Sequence, residues 1–228
     1  MTPVELMARA TVWLAVATFA AVIVALFQER IRQCWLRTKL GVPQDGRNPV
    51  SELMSWRDPR GDAEVACCYV RLRVGNIGKR PAHNVEAFAA ALQEERADGG
   101  WAPRRAFLPV GLQWTHVDRT YLPVIHSGTE KLCDLAYVLD PDKRALYPGH
   151  ELAGIPEQKR GLLSLACSPK PRQLPQMHNL PPGKYRLKVL IAAANAATVE
   201  TTVEINLTGE WRSGEADMLR EGLGARLV

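Results

Sequence analysis

From residue 10 to residue 27 the chain reads ATVWLAVATFAAVIVALF, eighteen positions without a charge. A run of that length leaves three options: a span kept in a membrane, a secretion signal that is removed, or a helix inside a soluble core. As a helix it measures about 27 Å. Leu6, Met7 and Ala8, with Arg9 reaching back to the interface, bring it to the roughly 30 Å of a hydrocarbon core. A secretory apolar region is shorter and ends at small residues, whereas this one runs into Leu26, Phe27, Gln28, Glu29 and Arg30. A core helix normally carries a polar face, and only Thr11 and Thr18 interrupt this one. The pattern predicts a permanent single-pass anchor.

The flanks predict its orientation. Arg9 and Glu5 precede the span, and Arg30, Arg32, Arg37, Lys39 and Arg47 follow it. Basic flanks favour the cytoplasmic side, so the N-terminus is expected outside and the large domain in the cytoplasm, at the cell's inner (plasma) membrane. The expected anchor residues are Trp13, Phe19 and Phe27, with Arg30, Arg32, Trp35 and Arg37 at the basic margin. Phe27, Ile31, Cys34 and Trp35 recur at helical spacing, and Gly41 and Pro43 supply a stop. One helix over about 4–40 is expected, its last turns a basic stalk or a headgroup-bound amphipathic segment.

The formal net charge of +5 has to be located before it is interpreted. Residues 28–47 hold five basic against two acidic side chains, and residues 48–228 hold 23 against 21. A domain so nearly balanced lacks the electrostatic footprint of a nucleic-acid binder. Five cysteines, two of them adjacent at Cys67 and Cys68, form no secreted disulfide framework. Neighbours on a strand point to opposite faces. Reduced, buried thiols in a reducing compartment are therefore expected, in agreement with the orientation.

Beyond the stalk (1–41), residues 42–62 are rich in Pro, Gly, Asp and Asn and read as a linker, with a short helical turn at 51–56. A β-sandwich is expected over 63–212, and a C-terminal helix or tail over 213–228. In EVACCYVRLRV, Ala66, Cys68, Val70, Leu72 and Val74 alternate with Tyr69, Arg71 and Arg73, the signature of a half-buried strand. NVEAFAAAL follows a turn and reads as a strand despite its alanines. Leu108, Val110, Leu112 and Trp114 alternate in AFLPVGLQW, and Cys133, Leu135, Tyr137 and Leu139 alternate in EKLCDLAYVLD. GLLSLACS adds a short apolar run. Tyr185, Leu187, Val189 and Ile191, then Val199, Thr201, Val203, Ile205 and Leu207, define a closing hairpin through Asn195. Lys184, Arg186 and Lys188 would face Glu200 and Glu204 across it. Met218, Leu219 and Leu223 suggest a helix at 215–226. About seven short strands between turns indicate a mainly β, antiparallel sandwich with a short C-terminal helix.

Two segments carry a resemblance. VRLRVGNIGKRPAHNVEA resembles the strand–turn–strand opening of bacterial immunoglobulin-like modules, through Val74, Asn76, Gly78, Ala82, Asn84 and Val85. LPPGKYRLKV is similar to the Pro-Gly-x-Tyr lead-in to a late strand of immunoglobulin- and fibronectin-like sandwiches. The resemblance implies that fold, with the Tyr185 hydroxyl tying down a corner, and implies no activity.

The chemistry-bearing residues form no recognised signature. His83, His116, His126, His150, His178 and Cys133 occur at irregular gaps, without C-x-x-C or H-E-x-x-H. Phosphate-binding glycine loops and nucleophile motifs are missing from the sequence. Asp134, Asp140 and Asp142 suit structural roles. Trp101, Trp114, Tyr121 and Trp211 suit packing more often than a ligand groove. The segment 140–180 is long and basic, and makes the candidate contact loop through Lys143, Arg144, Tyr147, Lys159 and Arg160. The sequence therefore predicts a non-enzymatic, membrane-anchored binding or scaffold protein, without catalytic residues, metal or cofactor. Its partners would be the lipid bilayer and a second protein, in a membrane-associated assembly, with no nucleic acid. The alternatives are a metal-dependent hydrolase built on the loops, or a periplasmic envelope module of reversed topology.

Overall fold

A computed structural model describes residues 3–35, 37–57, 64–105, 107–117, 119–146, 161–167 and 178–228. The chain divides into two units, Met1–Arg37 and Thr38–Val228. The first is a single helix, α1 (Pro3–Trp35). Its segment Arg9–Gln28 is long and apolar enough to cross a membrane, and none of it is buried. The two threonines that interrupt the apolar run leave no free hydroxyl. Thr11 Oγ1 donates to Met7 O at 2.9 Å and Thr18 Oγ1 to Leu14 O at 2.8 Å. Hydroxyls satisfied one turn back suit a helix whose surroundings offer no water. The helix ends at Trp35 rather than near residue 40. Leu40, 3 % exposed, belongs to the core of the second unit.

The second unit is mainly β. Its strands are β1 (Leu40–Gly41), β2 (Val50–Arg57), β3 (Glu64–Asn76), β4 (Ala82–Glu95), β5 (Trp101–Pro103), β6 (Val110–Gly111) and β7 (Gln113–Trp114). They continue with β8 (Tyr121–Ile125), β9 (Glu130–Leu139), β10 (Leu163–Leu165), β11 (Asn179–Leu180), β12 (Gly183–Ala193), β13 (Ala196–Leu207) and β14 (Leu223–Leu227). They form two antiparallel sheets. Sheet I runs β1-β3-β9-β10-β11, with β2 beside β3 and β7 beside β9; sheet II runs β14-β13-β12-β4-β5, with β6 and β8 beside β4. The long strands of both sheets contribute to one core, including Cys68, Val70, Leu72, Val85, Ala87, Leu135, Val138, Leu187, Val189, Val203 and Ile205.

The alternation expected in the closing hairpin is present. Arg186 pairs with Glu204 in register, and Lys188 reaches Glu200 at 2.7 Å on the same face. In β9 the alternation breaks. Arg71 lies opposite Asp134 and Val70 opposite Ala136, so Leu135 is an extra residue, a bulge. A bulge exchanges the two faces of a strand beyond it. Cys133 and Leu135 face the shared core, as do Ala136 and Val138, while Tyr137 and Leu139 join Val65 and Cys67 in a second cluster. Cys67 and Cys68 thus point to opposite sides of sheet I.

Three boundaries differ from the sequence reading. The stretch 42–62 is not a plain linker, because it contains β2, which pairs with β3 from Val50↔Arg71 to Arg57↔Glu64. Asn48 prepares that pairing. Its Nδ2 donates to Pro43 O (3.0 Å) and Arg73 O (3.1 Å), and its Oδ1 accepts from Arg73 N (3.0 Å), so one amide side chain imitates a strand partner. The helical turn expected at 51–56 is therefore strand. The expected 215–226 helix is a short one, Glu215–Asp217, with a π-type turn over Met218–Gly222, and then β14. Gly222 allows that turn, because a Cβ there would come within 3 Å of the buried Met218 side chain. Finally, β6 and β7 lie in different sheets, so the single alternation read through AFLPVGLQW is a crossing between layers at Leu112.

Candidate functional site

Beyond the crossing at Leu112 the chain runs along sheet I, where Trp114 packs into the shared core while Thr115 and His116 reach the outer side beside Tyr69, Arg71 and Asp134. Trp114 pairs with Cys133 and is 2 % exposed, with no hydrogen-bond partner for Nε1 among the described residues. Beyond it the chain turns sharply. His116 sits at φ +60°, the left-handed region that a non-glycine residue rarely adopts. Thr115 holds the turn down by donating from Oγ1 to Asp134 Oδ1 at 2.6 Å.

Asp134 belongs to a charge network centred on the buried Arg71, 4 % exposed, whose other carboxylate, Glu52, is open to solvent. Arg71 Nε donates to Asp134 Oδ1 at 2.9 Å and Nη1 to Glu52 Oε2 at 2.6 Å. Nη2 meets Met54 Sδ at 3.0 Å, and the guanidinium lies 4.7 Å from the Tyr69 ring centroid. With its donor groups so engaged, Arg71 serves as a fixed post that aligns β2, β3, β9 and the 115–116 turn. The same contacts occupy Asp134, so Thr115 and Asp134 act as a positioning pair.

Two adjoining clefts result, and Thr115 and His116 line both. The larger holds about 510 Å³ between Val50, Arg73, Trp114, Val117, Leu122 and the start of β9 at Glu130, Lys131 and Leu132. Its walls are apolar and its rim is charged, the usual character of a binding cleft. The smaller, about 220 Å³, opens over Met54, Ser55, Tyr69, Arg71 and Asp134. Arg73 crosses the rim, ion-paired with Asp45 and with Glu130 at 3.5 Å.

The residues singled out in the sequence are dispersed. Trp13, Phe19 and Phe27 are exposed on α1, and Arg37 is exposed beyond it. Arg30, Arg32 and Trp35 lie on the helix, their side chains outside the described set. In the expected contact loop Lys143 is exposed, but Arg144 is 5 % exposed in the turn Arg144–Leu146 and offers no free surface. Tyr147, Lys159, Arg160 and His150 lie outside the described residues. His83, His116 and His126 are exposed at separate places, His178 is buried, and Cys133 is in the core. Among the described residues no three His, Cys, Asp or Glu side chains gather around a common point. Of the four candidate aromatic residues only Trp114 reaches the cleft. Trp101 instead stacks under Arg186, 4.0 Å from its guanidinium. Thr115, Val117 and Glu52 were not legible as site residues, and His116 was singled out only among the scattered histidines. WTHVDRTY has no periodicity; the layer crossing at Leu112 brings Thr115–Val117 to the site, and Glu52 joins it through Arg71.

Three of the cysteines lie in apolar surroundings that disfavour the thiolate. Burial raises the Cys68 thiol to about 12, and also raises Cys67 and Cys133 well above an ordinary thiol. No protein-family model and no curated protein matches this chain, so its role rests on its own residues.

Proposed function

We propose that the chain is a non-enzymatic, single-pass membrane protein whose β domain lies in the cytoplasm and binds a segment of another protein. The carrying observation is the apolar, charge-rimmed cleft of about 510 Å³, in a domain that follows a helix long enough to span a bilayer. An apolar side chain of the partner would fill the space between Val117 and Leu132, and backbone polar groups would meet the rim at Arg73, Lys131 and His116. The basic residues after the span support the cytoplasmic orientation. The buried thiols of Cys67, Cys68 and Cys133 agree with a reducing compartment. An immunoglobulin-like character of the domain is supported by Tyr185 Oη, which donates to Pro181 O at 2.7 Å across a corner.

Two measurements on the full-length protein test this function. Protease added to sealed right-side-out and inside-out membrane vesicles should digest the β domain only in the inside-out set. Digestion in right-side-out vesicles would reverse the topology. A photo-crosslinking residue at Leu132 should give one discrete adduct in cells, lost on Val117→Asp, while the same residue at Thr198 on β13 gives none. Equal yields from cleft and control positions would remove the cleft as the contact site.

A further inference from the structure

The connections at one end of the β domain are sewn into a single surface, at the place where the chain enters from α1. Lys39 O accepts from the amides of Ile77 (2.8 Å) and Gly78 (3.1 Å). Ser127 Oγ donates to Gly78 O at 2.5 Å, and Gly128 N donates to Asn76 O at 2.8 Å, which adds the β8–β9 loop. Asn195, in the β12–β13 turn, donates from Nδ2 to Pro81 O (2.9 Å) and Thr38 Oγ1 (3.1 Å) and accepts from His83 N (2.9 Å). Beneath them Asn76, 1 % exposed, donates to Arg80 O and Ile125 O and accepts from Gly78 N. The end is a built surface rather than a set of independent loops.

Its side chains are an unusual set for water. Ile77 is 62 % exposed and lies against Gly41. Lys39 and Lys79 are exposed and Arg80 half-buried. Among the described residues none of these three cations has an ion-pair partner, whereas Lys184, Arg186 and Lys188 on β12 all do. Glu130 and Glu200, which approach this end on β9 and β13, are occupied by Arg73 and Lys188. An exposed branched aliphatic side chain among unneutralised cations matches the boundary between anionic headgroups and acyl chains. Thr38 follows the end of the apolar span at Gln28 by ten residues, at most about 35 Å of fully extended chain.

We propose that this end of the β domain rests on the bilayer that α1 crosses. Ile77 enters the headgroup–acyl boundary, and Lys39, Lys79 and Arg80 meet anionic lipid headgroups. The proposal rests on the anchor reading of α1. The test uses the full chain carrying Cys34→Ser and Ile77→Cys, labelled at residue 77 with an environment-sensitive fluorophore, since the other four cysteines are buried. It is reconstituted into vesicles of phosphatidylcholine, with or without phosphatidylserine. In the anionic vesicles the emission should shift to the blue and be quenched by nitroxide-headgroup lipid. Both effects should disappear at 1 M salt, where the screening length falls to about 3 Å, and in the triple variant Lys39→Gln, Lys79→Gln, Arg80→Gln. A chain that resists carbonate extraction yet keeps a water-exposed label in anionic vesicles overturns the docking alone. Extraction by carbonate overturns the anchor and the docking together. An equal blue shift in both lipids, unmoved by the triple variant, overturns the role of the cations.

Discussion

The two faces of β3 are built on opposite principles although they share one backbone. Towards the core, Cys68, Val70, Leu72 and Val74 are wholly buried among apolar neighbours from both sheets. On the outer side Val65, Cys67 and Tyr69 give way to Arg71 and Arg73, whose burial depends on Glu52, Asp134, Asp45 and Glu130. Apolar contact has no direction, so the inner face asks for volume and hydrophobicity. Charge burial is directional and stoichiometric, so the outer face asks for specific partners at specific distances. The smaller cleft opens over this outer face, at Tyr69, Arg71 and Asp134, and the larger joins outer-face Arg73 to Trp114 and Leu122 of the core. A shift of one strand would therefore abolish the smaller cleft.

The contrast can be broken by substitution, beginning with its centre. Arg71→Ala should cost about 3–5 kcal/mol in denaturant unfolding, because Glu52 and Asp134 are left close together without their cation. Replacing all three by apolar residues of similar volume should recover most of that loss. A cost under about 1 kcal/mol for Arg71→Ala would mean that the network is less dry than its burial indicates.

On the other face Leu72→Ala should cost about 3 kcal/mol through a cavity. Its cost should be indifferent to the charge state of the outer face, so a double variant with Asp134→Asn should be nearly additive. Strong non-additivity would show that the two faces communicate through the strand.

Away from β3, Gly222→Ala should cost about 1–3 kcal/mol by overpacking against Met218 and Glu210 O. Thermal unfolding of the full chain reads this, and an unchanged midpoint would mean that β14 shifts freely.

Glu204 extends the comparison to sheet II. Burial alone would raise its carboxyl, but hydrogen bonds from Arg226 and Arg186 outweigh it and hold the group below the ordinary carboxylate range. A depressed folded value means that Glu204 stabilises above the unfolded value of about 4.3, and that this contribution is lost as pH falls through the lower folded value. Glu204→Gln should cost about 1–2 kcal/mol at neutral pH and flatten the acid limb of the stability curve. The same slope in both chains would assign the acid sensitivity elsewhere. The smallest effect is expected at His116, where glycine relieves the left-handed backbone. His116→Gly should be neutral or stabilising by up to about 1 kcal/mol, and a loss of stability would show that the imidazole packs on the turn.

Legibility followed the kind of interaction. The closing hairpin could be read because each strand alternates cleanly, down to the pairing of Lys188 with Glu200. β2 was missed because its order depends on Asn48, whose two-sided bonding to Arg73 connects residues 25 positions apart. β14 was missed although Leu223, Ala225 and Leu227 alternate, since Met218, Leu219 and Leu223 also match a helical stripe and short apolar runs satisfy both periods. The bulge at Leu135 was not visible either. It exists only relative to the partner strand, and it redirected Tyr137 and Leu139 to the outer cluster.

By itself the sequence determined the long apolar helix, the mainly β domain after it, and the faces of its regular strands. These depend on run length and period, which are local properties of a chain. The tertiary structure decided where the chain crosses between sheets, which carboxylates surround Arg71, and how Thr115 and His116 come to line a cleft. It also decided that Ile77, Lys79 and Arg80 share a surface with Lys39. Each of those depends on which distant backbone stands opposite, and a contact between remote residues leaves no periodic trace in the order of amino acids.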